Sequence, residues 1–276
     1  MWISPVKMLL FLSLMCYGVG VVHSLWLLIR KQNVLFPVAM GAMVVGFLAH
    51  TASLVVRGVE VQRYPLMMHQ EVSSFLAWAV MAYFLGAQFW YRSKSLSLFV
   101  IPVVFIFTAT ALLLPADQEV PSLLRFGENS TLLVVHASVF VLAYAAFVIT
   151  FLAGVMYLIQ ERELKLKRFG SFVFRLPSLD TCDDLSYKSL GIGFVLMTLG
   201  IVTGIVGSHH VAGIYWRGDP SEFLALATWI IYLFMVHCRL TAGWRGRRAA
   251  LVGIVGFAMT LVSLVGVGYL SGFHFE

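Results

Sequence analysis

The chain has 276 residues, 60% of them hydrophobic and only 12% charged, and its mean hydropathy is +0.90. Soluble domains carry roughly 25% charged residues, so a water-soluble globular protein is excluded. The formal charge of +6 sits in short runs between apolar stretches, which points to contact with the anionic headgroups of a lipid bilayer and requires no nucleic acid.

At roughly 20 apolar residues per span, eight membrane-crossing helices are predicted: Met8–Ile29, Val34–Val56, Val72–Trp90, Leu96–Leu114, Thr131–Gln160, Tyr187–Gly207, Glu222–Leu240 and Ala249–Leu270. The expected fold is all-α, a polytopic helix bundle forming a single transmembrane domain over 1–276. The fifth span is long enough to project past the bilayer, and the polar stretch 161–186 after it is the longest gap. The N-terminus has Lys7 alone as a positive charge and no small-residue cleavage pattern after the apolar run, so the first helix reads as retained.

Basic residues set the orientation. Fourteen of the 19 Lys and Arg fall in alternate loops at Arg30–Lys31, Arg92–Lys94, Arg162–Lys188 and Arg239–Arg248, whereas eight of the 13 Asp and Glu fall on the opposite side. This predicts both termini outside the cytoplasmic (inner) membrane, 161–186 as a cytoplasmic loop, and 208–221 as an outer segment. Cys16, Cys182 and Cys238 are scattered and there is no CxxCH sequence, so the chain carries no covalent c-type haem; they read as small buried apolar residues.

The eight histidines avoid the expected cytoplasmic loops. His69, His136, His209, His210 and His274 crowd the outer boundary. His50 falls in the outer third of the second helix, His23 about a turn and a half above the inner end of the first, and His237 about one turn above the inner end of the seventh. An ionisable side chain inside a bilayer is a functional candidate, and neutral imidazole is a common ligand of haem iron. His136 and His274 form the natural outer pair. His237 is the inner candidate, with His23 at matching depth and His50 nearer the middle. A hydrogen bond to a neighbouring helix would also explain a single buried histidine, and His69, His209 and His210 also read as wetted boundary residues.

Between the sixth and seventh spans lies Tyr215-Trp216-Arg217-Gly218-Asp219-Pro220-Ser221-Glu222. Tyr215 and Trp216 offer flat faces for stacking, although interfacial aromatics are also ordinary membrane anchors. Asp219, Pro220 and Glu222 make a helix-start signal of cap, early proline and first-turn acid. The surplus is the company of aromatic faces, carboxylates and histidines in one short stretch.

The string AGIYWRGDPSEFLALATWIIYLFMVHCR resembles the tryptophan-rich segment and following helix of haem-handling cytochrome c assembly proteins of the CcsA/ResC type. The likeness rests on Tyr215, Trp216, Asp219, Pro220, Glu222, Ala225, Leu226, Thr228, Trp229, Tyr232, His237 and Arg239. It continues through 243–270 to a short tail holding His274, and upstream it takes in the helix with His136 and the segment 64–78. The sequence departs from that pattern at Ala212, Gly218 and Leu224, where the family has tryptophan, and at Ser221, where it has lysine. The resemblance implies a protein that binds haem b non-covalently, with His136, His274 and His237 on the iron, His50 and His23 as further intramembrane candidates, and Tyr215, Trp216, Asp219, Glu222 and Trp229 around the macrocycle. It implies presentation of haem to apocytochrome c on the outer face, as the haem-binding subunit of a cytochrome c haem lyase. The implied partner is a CcsB/ResB-like membrane subunit with a large outer domain. A haem or solute transporter and a HemX-like regulatory subunit stand as the other two classes.

Overall fold

The computed structural model describes residues 4–29, 35–115, 131–167 and 176–270. Among these residues there are eight helices: α1 Pro5–Ile29, α2 Phe36–Val61, α3 His69–Tyr91, α4 Leu96–Leu113, α5 Thr131–Lys165, α6 Leu179–Ala212, α7 Pro220–Thr241 and α8 Arg247–Leu270. Each is long and apolar enough to cross a membrane. The chain is therefore an all-α, multi-pass membrane protein.

Most helices outrun the predicted spans, because backbone hydrogen bonding does not stop where apolar residues do. Helix α5 runs on to Lys165, past the predicted Gln160, with Glu161 and Lys165 paired at 2.7 Å. At 35 residues it is about 52 Å long. Helix α6 begins at Leu179 rather than Tyr187, where Ser178 accepts the Thr181 N–H at 3.1 Å and Asp180 sits in the positive first turn. Both helices thus reach into the stretch expected as the loop 161–186. His69, placed by sequence in a loop, opens α3 and is exposed.

The helices group into two compact units, α1–α4 and α5–α8. In the first, α1 packs on α2 and α4, α3 packs on α4, and α2 touches α3. Gly46 lets α2 close on α1, since a Cβ there would lie 2.8 Å from the Cβ of Cys16. Trp78 donates from its indole to Thr51 at 2.8 Å and stacks on Phe47 and Phe75.

The chain turn between α2 and α3 is held by one buried anion. Glu71, 3% exposed, accepts from Arg57 Nε at 3.1 Å, from Arg63 at 2.9 and 3.1 Å, and from the backbone N–H groups of Met67 and Met68 at 3.0 and 3.2 Å. A carboxylate at the third position of a helix is well placed for the free N–H groups there, and five donors offset its loss of water.

In the second unit α5 is the central column. It packs along α6 and α8, and Phe147 stacks on Tyr232 of α7 with ring centres 3.5 Å apart. Cross-helix hydroxyl pairs join Thr150 to Ser189, Tyr144 to Ser263 and Tyr232 to Thr260, at 2.9, 3.2 and 3.0 Å. Where α7 ends, Arg239 makes a two-pronged ion pair with Asp183 of α6 at 3.1 and 2.7 Å, and Asp183 also accepts the Gly246 N–H at 2.9 Å. The Arg239 side chain is 6% exposed, so Asp183→Ala strands a buried cation. We expect a loss of about 3 kcal/mol, read as an earlier denaturant midpoint in detergent; an unchanged midpoint would contradict the clamp.

Candidate functional site

His136 sits in the second turn of α5 and faces α6. Its Nδ1 lies 2.8 Å from the carbonyl oxygen of Gly200. A carbonyl only accepts, so Nδ1 carries the proton and the lone pair is left on Nε2. Nε2 makes no hydrogen bond among the described residues, and the ring is only half-buried. Phe140, one turn further along α5, tilts against the imidazole with centroids 4.8 Å apart. Such an imidazole, with the far nitrogen pinned to a main-chain carbonyl and the near one free, has the donor arrangement of a metal-ligating histidine.

The connection from α6 to α7 lies at the same end of this unit. Gly204, against which His136 packs, precedes His209 by five residues, about 7 to 8 Å along the helix. Gly213 closes α6 in a left-handed conformation, φ +71°, donating its N–H to the carbonyl of His209. Tyr215 folds back to stack on the His209 ring, 3.9 Å between centres and 12° from parallel. Trp216 meets Phe223 edge-on at 5.4 Å. Both Tyr215 and Trp216 remain largely exposed, so each keeps aromatic surface for another flat group.

The two acidic residues divide their duties. Asp219 takes the N-cap position of α7, yet its side chain makes no capping bond; its backbone carbonyl accepts the N–H groups of Glu222 and Phe223. Glu222 instead bends backwards, and its carboxylate accepts from the Arg217 and Gly218 N–H groups at 3.0 and 2.9 Å. Arg217 in turn donates from Nε to Ser208 Oγ at 3.1 Å. Gly218 sits at φ +77°, a conformation that costs other residues about 1 to 2 kcal/mol. A tryptophan at 218 would strain this particular loop, so that departure from the family pattern goes with a compact turn.

Trp229 lies one face round on α7 and donates from its indole to Thr198 Oγ1 at 2.9 Å while stacking on Phe194. Its observed work is to tie α7 to α6. His237 is exposed near the far end of α7 beside Leu233 and Phe234, and its ring has no hydrogen-bond partner among the described residues. It stands 18 residues beyond Asp219, about 27 Å along the axis, so this unit separates His136 and His237 towards its two ends.

The other two candidates lie in the first unit and differ sharply. His50 is fully buried, and both its nitrogens are taken: Nε2 by Ser74 Oγ at 3.0 Å and Nδ1 by the Tyr17 hydroxyl at 3.4 Å. In this packing it ties α1, α2 and α3 together. His23 is 6% exposed, and both ring nitrogens are buried without a hydrogen-bond partner among the described residues; the Phe36 ring lies against it with centroids 5.8 Å apart. A buried imidazole bare at both nitrogens lacks the hydrogen bonds such groups ordinarily find. His274 lies outside the described residues.

Sequence reasoning missed three features that shape these sites. Gly200 and Gly204 cradle His136, and their signal was the glycine run at 193, 200, 204 and 207 on one face of α6. Asp183 partners Arg239, and Glu71 gathers Arg57 and Arg63; charges of opposite sign beside long apolar runs were the available signal.

Residues 66–274 match the model of a family described as Cytochrome C assembly protein. Among curated relatives, the chain is 30% identical over 282 residues to the cytochrome c biogenesis protein CcsA of Guillardia theta, covering 96% of this chain and 92% of that one. It is 30% identical over 302 residues to CcsA of Synechococcus sp. (strain JA-2-3B'a(2-13)), with 88% and 86% covered. CcsA of Porphyra purpurea is 32% identical over 248 residues, with 76% and 78% covered.

Proposed function

Because this chain belongs to the cytochrome c assembly protein family, we propose that it acts in cytochrome c biogenesis by binding haem b through His136 and presenting it for attachment to apocytochrome c. The observation that carries the reading is the His136 tautomer: Nδ1–H on the Gly200 carbonyl, Nε2 bare. Histidine nitrogen is a common protein ligand of haem iron, so the free Nε2 of His136 at this end of the second unit would fit the group. Haem, as the substrate, brings vinyl groups to which apocytochrome thiols add.

The chain's own part is placement. His136 would hold the haem iron through Nε2, and His274 is proposed as a second ligand. Tyr215 and Trp216 cover apolar surface and exclude water. Glu222 keeps their loop folded through the Arg217 and Gly218 amides, and Trp229 keeps α7 registered on α6. The unengaged Asp219 carboxylate belongs to the same loop and is proposed to meet a polar edge of the ligand or its partner. His237, with its exposed ring at the opposite end of this unit, is proposed to take haem at the cytoplasmic side, and His23, whose nitrogens have no partner among the described residues, is a separate intramembrane candidate in the first unit. His50 is proposed to remain a packing group, since either nitrogen would have to give up its hydrogen bond before it could ligate. The charge asymmetry of the loops supports an outer location for His136. A membrane subunit with a large outer domain is the proposed partner.

The test is genetic. Cells lacking this chain are expected to lose covalent haem staining of their c-type cytochromes and to regain it with the full chain. Undiminished staining would favour the transport or regulatory classes and reject this reading.

A further inference from the structure

The face of α6 that meets α5 carries a row of glycines, and three of them, Gly193, Gly200 and Gly204, each receive one aromatic ring. A Cβ at Gly193 would lie 2.5 Å from Phe147, at Gly200 2.5 Å from Phe140, and at Gly204 2.6 Å from both Cε1 and Nδ1 of His136. No real Cβ approaches ring atoms so closely, so alanine at any of the three must push its ring away. At Gly193 and Gly200 the displaced ring is hydrocarbon and packing alone suffers. At Gly204 the displaced ring is the imidazole.

We propose that Gly204 is a positioning residue for His136: by having no side chain, it lets the Cε1–Nδ1 edge of the imidazole press close against α6, where Nδ1 reaches the Gly200 carbonyl and Nε2 is left as the ligand nitrogen. The three constraints act together. The Gly200 carbonyl fixes the tautomer at 2.8 Å, Gly204 fixes the depth of the ring, and the tilted Phe140 ring packs against it with centroids 4.8 Å apart. That carbonyl lies inside α6, and the Thr203 hydroxyl, 2.8 Å from the Leu199 carbonyl, is also within 3.0 Å of it, so it keeps partners within its own helix if the imidazole leaves. Moving the ring therefore releases the tautomer without stranding a buried acceptor. The proposal rests on the haem reading for its purpose, though not for its geometry.

The test compares Gly204→Ala with Gly193→Ala, which meets the same degree of clash about three turns away and touches no histidine. The full-length protein is labelled with ¹⁵N-histidine, and the His136 signals are assigned by their loss in His136→Ala. Wild type and Gly193→Ala are expected to show His136 protonated at Nδ1, and Gly204→Ala a mixed or Nε2-protonated ring. Titration with hemin then gives the functional arm: Gly204→Ala is expected to weaken binding on the order of tenfold to a hundredfold, as loss of an orienting contact does at metal sites, with Gly193→Ala close to wild type. If Gly204→Ala leaves the tautomer unchanged, or Gly193→Ala disturbs it equally, the positioning role is wrong. If the tautomer responds as expected and the wild type takes up no hemin, the positioning geometry stands and the haem reading falls.

Discussion

Glu71→Ala is expected to be the most damaging single change in the first helical unit, lowering stability by about 3 to 5 kcal/mol. The damage comes from the groups that remain. The Glu71 side chain is 2% exposed, and the guanidiniums of Arg57 and Arg63 are themselves largely covered, at 17% and 8%. Alanine leaves two positive charges close together at a membrane boundary with their shared anion gone, and frees the Met67 and Met68 amides. Chemical denaturation in detergent, followed by tryptophan fluorescence, should show the midpoint fall steeply. Removing Arg57 and Arg63 as well should recover part of the loss, because an absent charge needs no partner. A single Glu71→Ala variant within about 0.5 kcal/mol of wild type, the range of a neutral surface change, would mean that the cluster holds nothing together.

The second large effect falls on function rather than stability. His136→Ala is expected to reduce c-type cytochrome maturation roughly tenfold or more while the protein still folds. The fold should survive because the Gly200 carbonyl lies inside α6, with the Thr203 hydroxyl shared between it and the Leu199 carbonyl, and the central packing of α5, from Tyr144 to Phe151, lies further along the helix. Haem staining of c-type cytochromes, normalised to the amount of the variant in membranes, separates the two effects. Full maturation by His136→Ala would remove this residue from the site.

Much of this was legible in the sequence, and the legible part has a common cause. Eight apolar runs announce eight helices because a bilayer demands about 20 apolar residues per crossing. The ends were misread where polar residues continue a helix, as Glu161–Lys165 and Leu179–Ser186 do, since an apolar window reports the solvent and not the hydrogen-bond ladder. Asp219 and Pro220 marked the start of α7 correctly, but only the structure separates the free Asp219 carboxylate from the engaged Glu222. The grouping of α1–α4 and α5–α8 into two units has no local sequence signal. Neither does the difference between His50, with both nitrogens bonded, and His23, with neither. Both are histidines in apolar helices, and only the neighbours across the helix interface tell them apart. The family resemblance ran along most of the chain and was plainest at the α6–α7 connection, where a short aromatic and acidic stretch lies between apolar spans.

At the centre of the proposed function is an imidazole whose bare outer nitrogen clasps a haem iron at one end of the second unit. The most direct measurement is the visible spectrum of the purified full-length protein after hemin is added and excess removed, oxidised and then reduced with dithionite. A sharp Soret band and a resolved α band are predicted in the wild type, both strongly diminished in His136→Ala. A wild-type preparation that remains colourless, or a His136→Ala spectrum identical to that of the wild type, would contradict haem ligation by His136.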